Sequence, residues 1–69
     1  MRISARNVLR GKVIEVKKGQ TTAHIRLQLP NGEVITSAIT NESVDDLGLK
    51  VGDEAAAIIK SSDVMIGKD

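Results

Sequence analysis

Not one Phe, Tyr or Trp occurs in this chain, and that omission decides how a core can be built. An aromatic side chain buries roughly 150–250 Å² and dominates the packing of most small domains. Here the core has to come from Val, Ile, Leu, Ala and Met alone. A single domain of 69 residues also buries only about 60% of the surface its unfolded chain exposes, near the lower limit for folding alone. Cysteine is absent, which removes disulfide staples, thiolate metal sites and a Cys nucleophile. Contacts between subunits are the remaining remedy, so an oligomer is expected.

Charge narrows the partners. Ten Lys and Arg stand against nine Asp and Glu, a net charge of +1, far from the basic excess of a general nucleic-acid binder. No apolar run approaches the ~20 residues of a membrane span. The N-terminus is polar and lacks the apolar h-region of a signal peptide. A cytoplasmic chain without nucleic-acid or membrane partners is the expectation.

Strand patterns fill the first half. Val13, Ile14 and Val16 are mixed with Lys12, Glu15 and Lys17 from Leu9 to Lys17, an imperfect alternation before a turn at Lys18-Gly19-Gln20. Thr21 to Leu29 alternates cleanly, with Ala23, Ile25, Leu27 and Leu29 opposite Thr22, His24, Arg26 and Gln28. Pro30-Asn31-Gly32 is a strong hairpin turn, because Pro presets φ and Asn-Gly tolerates positive φ. Glu33 to Thr40 returns as a third strand rich in β-branched residues.

The period then changes. Thr40 or Asn41 can cap a short helix over Glu42–Leu47, with acidic residues in its early turns and Gly48 ending it. Glu54 to Lys60 has the small and branched residues of a buried strand, and Val64-Met65-Ile66 suits a last short one. Three strands, a short helix and two strands is the order of a small five-stranded OB-like Greek-key barrel, all-β apart from the helix between strands 3 and 4.

Three distant segments carry groups suited to a small oxyanion: Ser4-Ala5-Arg6-Asn7, Thr40-Asn41-Glu42-Ser43 and Lys60-Ser61-Ser62. A tetrahedral dianion asks for many donors and little countercharge. Arg6 offers a permanent cation and a planar fork of donors beside the Ser4 hydroxyl. Free N–H groups at a helix start attract anions, and Thr40 and Ser43 add hydroxyls. Lys60 brings an ammonium on a stem flanked by Ile58 and Ile59. Each has an ordinary alternative: a solvated Arg, plain helix capping and a strand-end lysine.

Catalytic apparatus is missing. The lone histidine, His24, lies on a polar strand face without a Cys partner, which is poor metal chemistry and suits a surface or subunit contact. Asp45-Asp46 is a helix-face pair rather than an acid/base dyad. Neither a Walker loop nor a Gly-rich dinucleotide loop is present, and no enzyme is expected.

With these segments in order, the chain resembles the molbindins, the small molybdenum-pterin-binding proteins of the Mop family. The resemblance covers nearly the whole chain. It is carried by Ile3-Ser4-Ala5-Arg6-Asn7 with Leu9-Arg10-Gly11-Lys12-Val13, by Ile39-Thr40 with Ser43-Val44, by Leu47-Gly48-Leu49 with Val51-Gly52, and by Ile58-Ile59-Lys60-Ser61-Ser62. It implies molybdate or tungstate as ligand, held at interfaces of a hexamer built as a trimer of dimers, for intracellular molybdenum storage and homeostasis. Carried over position by position, the ligands are Ser4 and Arg6, Thr40 and Ser43 with the backbone N–H of Val44, and Lys60 with Ser61. The family's related regulators and transporter ATPases carry further parts, so the chain is similar to the free-standing form. A second class of site, on the symmetry axes, is implied without residues to assign, and nothing in the chain suggests a pterin pocket.

The alternative from another class is a nucleic-acid-binding OB module. Such domains stack bases on aromatic side chains over a basic groove, and this chain has neither.

Overall fold

The computed structural model describes residues 1–69. Its elements are β1 (Asn7–Lys18), β2 (Thr22–Gln28), β3 (Val34–Thr40), α1 (Asn41–Leu47) and β4 (Glu54–Ile59), followed by a 3₁₀ turn over Ser61–Asp63. The four strands form one antiparallel sheet in the order β3-β2-β1-β4. Three hairpin-connected strands and a fourth returning beside the first is the Greek-key arrangement.

The long strand β1 serves both halves. Asn7 to Lys12 pair with β4, from Asn7 opposite Ile59 to Lys12 opposite Glu54, and Lys12 to Lys18 pair with β2. Two local devices bend it where the halves meet. The register skips Ile14 between Val13 and Glu15, a β-bulge that increases twist. At Gly11 a Cβ would stand 2.3 Å from the Gln28 carbonyl oxygen, so only hydrogen fits.

The bulge leaves Val13, Ala23, Ile25 and Leu27 facing inward, and with Val44 from α1 they are the whole fully buried core. Val13 is the largest side chain completely shielded from solvent, and its backbone is held too. Its N–H donates to Asp53 O and its carbonyl accepts from Gly52 N–H, both at 2.8 Å, which closes the loop before β4 onto the sheet.

The helix ends as its residues dictate. Thr40 caps the start, and Gly48 at φ 63° takes the left-handed conformation that ends it. Gly48 N–H donates to Asp45 O and Leu49 N–H to Val44 O, both at 3.1 Å.

Two expectations are corrected. No fifth strand forms: Val64-Met65-Ile66 makes no ladder, and Met65 and Ile66 are 92% and 91% exposed. The 3₁₀ turn, closed by Asp63 N–H to Lys60 O and Val64 N–H to Ser61 O, leads this segment away from the sheet. The expected buried strand before it is only half-buried, with Ile58 50% exposed, because β4 is an edge. Between the edges of β3 and β4, where such a barrel would close, lies an open groove of about 380 Å³ lined by Ile35, Ile39, Leu47 and Ile59 among others.

Candidate functional site

The sheet register decides which of the three segments meet. Asn7 is the last β1 residue paired with β4, opposite Ile59, and its side-chain Nδ2 donates to Ile59 O at 3.1 Å. Arg6 and Lys60 are each the next residue outward from that pair, so the ladder delivers Ser4-Arg6 and Lys60-Ser61 to one end of the β1–β4 ribbon. Both cations are exposed, and neither joins an ion pair; the three that form are Lys18–Asp45, Arg26–Glu15 and Lys50–Asp53. Two unneutralised positive charges therefore stand side by side in sequence register.

The helix-start group lies elsewhere. Thr40 pairs with Thr22, and Asn41 N–H donates to Thr21 O at 2.9 Å, which fixes α1 beside the β1–β2 turn. That turn follows Lys18, the far end of β1. A straight strand of twelve residues would span roughly 40 Å, and the longest dimension of the chain is 34 Å. β1 is therefore bent, and the two groups lie at its opposite ends, one cationic and one rich in hydroxyls.

The hydroxyl half is ordered from within. Thr40 Oγ1 accepts the Ser43 N–H at 3.0 Å and donates to Ser43 Oγ at 2.8 Å. This is the capping arrangement, and it uses the Thr40 proton while leaving the Ser43 proton free to donate outward. Val44 points its side chain into the core and anchors the helix under that pair. Asn41 adds an interaction that sequence reasoning missed: its Nδ2 donates to Gly19 O at 2.9 Å. An Asn at the first helical position, directly after the last β-branched residue of a strand, was the only signal for it. Asn7 was likewise in view as part of a segment without its tie to Ile59.

No three His, Cys, Asp or Glu side chains gather in metal-holding geometry. His24 stands on the solvent face of β2 between Lys17 and Ala38, as its place in the alternation predicts. No helix is long and apolar enough to cross a membrane.

A curled four-stranded Greek-key sheet with one short helix, with Arg6 and Lys60 at one end of β1 and Thr40 and Ser43 near the other, defines a small β-domain. Residues 3–66 match the TOBE domain family, and the chain belongs to it. Molybdenum-pterin-binding protein 3 of Clostridium pasteurianum is 54% identical over 66 residues, covering 96% of this chain and 97% of that protein. Among solved structures, MopII from the same organism superimposes with a TM-score of 0.92 at 51% identity, over 97% of this chain and all of that one. The cytoplasmic molybdate-binding protein ModG, solved with molybdate bound, gives a TM-score of 0.91 at 46% identity over 94% of this chain and 46% of its own.

Proposed function

We propose that this protein binds molybdate, and tungstate about as well, in cages closed between copies of itself. The observation that carries this is the placement of Arg6 and Lys60 at one end of β1 and Thr40 and Ser43 at the other. Neither half alone surrounds a four-oxygen dianion. Joining the cationic half of one copy to the hydroxyl half of the next supplies two charges and at least four hydroxyl or amide donors. Hydrogen bonds to a charged group contribute about 1.5–3 kcal/mol each, and several are needed to offset the ion's desolvation. Ser4, Arg6, Lys60 and Ser61 act from one copy, and Ser43 and the Val44 N–H from its neighbour, where Thr40 orients the Ser43 hydroxyl.

The same surfaces support assembly. A core of five buried side chains, an open apolar groove and an exposed Val64-Met65-Ile66 leave much apolar area for other copies to cover. A hexamer arranged as a trimer of dimers is the proposed form, in the cytoplasm, with storage and buffering of molybdenum as the role and no chemical turnover. Selection over sulfate comes from cavity size, because the two anions share charge and shape. The nucleic-acid alternative has no observation in its favour: there is no aromatic platform, and Glu15 partly neutralises Arg26 on the outer sheet face at 3.5 Å.

Equilibrium dialysis with molybdate against excess sulfate, run beside a native mass measurement, tests the whole reading. Retention of molybdate by an oligomer is expected. A monomer indifferent to the ion would end it.

A further inference from the structure

We infer that Asn41 is a positioning residue for oxyanion selectivity, clasping the β1–β2 turn so that the Thr40 and Ser43 hydroxyls are held at a fixed place. This rests on the function proposed above and goes beyond its ligands, since Asn41 itself is assigned no contact with the anion.

The helix is only seven residues long, too short to hold its own shape or direction in water. Val44 is its single buried residue, and one apolar anchor lets a short helix pivot. Its tie through Asp45 to Lys18 is an ion pair between exposed side chains, with relative exposures of 66% and 46%, of the kind that contributes little. Asn41 supplies what these do not. Its backbone N–H and its Nδ2 bind Thr21 O and Gly19 O, both at 2.9 Å, on two points of one turn. Two bonds from one residue fix a direction as well as a position.

The residue choice carries a cost that capping does not explain. Asn41 Oδ1 is shielded from solvent and has no hydrogen-bond partner, an arrangement native proteins mostly avoid. Thr40 already caps the helix, so any good helix former would serve at this position without stranding an acceptor. The carboxamide is accounted for by its reach to Gly19 O. Anions that differ mainly in radius are separated by donors that do not yield, so a loosened Thr40–Ser43 pair loses discrimination first.

Titration of Asn41→Ala with sodium molybdate and with sodium sulfate tests this. The molybdate Kd is expected to rise about tenfold, as when a group that orients ligands is removed, and the molybdate-to-sulfate preference to fall with it. Asn41→Ser, which keeps a good helix-start residue but loses the reach to Gly19, answers should the alanine variant not fold. Wild-type affinity and preference overturn the inference, and so does an equal loss for both anions, which is the mark of a merely damaged protein. Thr40→Ala and Ser43→Ala separate the two levels. Weakened binding in these with none in the Asn41 variants removes the clasp alone, whereas no effect in any of the four removes the helix-start half of the site.

Discussion

Thr40 Oγ1 stands 2.8 Å from Ser43 Oγ and 3.0 Å from the Ser43 backbone nitrogen, so a single hydroxyl both caps the helix and orients its neighbour. The pair divides the work: Thr40 gives its proton to Ser43, and Ser43 keeps one to give away.

Replacing Ser43 by Ala should therefore harm anion binding more than replacing Thr40 by Val. We expect about a tenfold weaker molybdate Kd for Ser43→Ala, the equivalent of one hydrogen bond to a charged acceptor. Thr40→Val should show its main effect in stability, about 1 kcal/mol for a lost cap. Calorimetric titration and urea unfolding of both variants measure the split.

Arg6→Ala and Lys60→Ala should each weaken molybdate binding by roughly 2 kcal/mol, or about thirtyfold, through loss of a charge-assisted contact. Both side chains are exposed, so circular dichroism should be unchanged. Titrations indistinguishable from wild type in both would withdraw the cationic half of the site.

Mixing provides a sharper check on the shared cage. A variant lacking Arg6 and Lys60 and another lacking Thr40 and Ser43 should each bind poorly. Unfolded together and refolded, they should recover about a quarter of wild-type sites by random assortment of halves across symmetric interfaces. Zero recovery, with mixed oligomers confirmed by mass, argues that each copy keeps its own site.

Saturating molybdate should raise the melting temperature by several degrees, because a ligand present at 100 times its Kd stabilises the bound form by about 2.7 kcal/mol. Sulfate at the same concentration should do much less. Differential scanning fluorimetry with an extrinsic dye suits a chain without tryptophan or tyrosine.

Val13→Ala should be costly for so conservative a change. Its side chain is wholly shielded, and the core it belongs to has four other fully buried members. We expect about 2 kcal/mol of lost stability from the emptied volume, read as a lower urea midpoint with little change in slope.

Much of this architecture could be read from residues alone. The alternation expected from Thr21 to Leu29 contains β2, which stops one residue short at each end, and Ala23, Ile25 and Leu27 take the buried face because period 2 has a single solution. Gly48 marks the helix end correctly and Thr40 is one of the two caps the residues offered, since capping is local chemistry; the helix starts one residue earlier than expected, at Asn41. Val64-Met65-Ile66 looked like a strand because its composition is apolar, yet composition does not supply a neighbouring edge to pair with. The separation of the half-sites was beyond reach for a similar reason: it follows from the register of β1 against β2 and β4. The Asn41 bond to Gly19 spans 22 positions and leaves no periodic trace.

Gly11 has no side chain to offer an anion, yet the crossing of β1 over the Gln28 carbonyl leaves room there for nothing larger than hydrogen. Five residues upstream is Arg6, carried on the limb that this crossing directs. A methyl group at that corner would swing the limb like a door on a shimmed hinge, and the guanidinium would miss its target without itself having been touched.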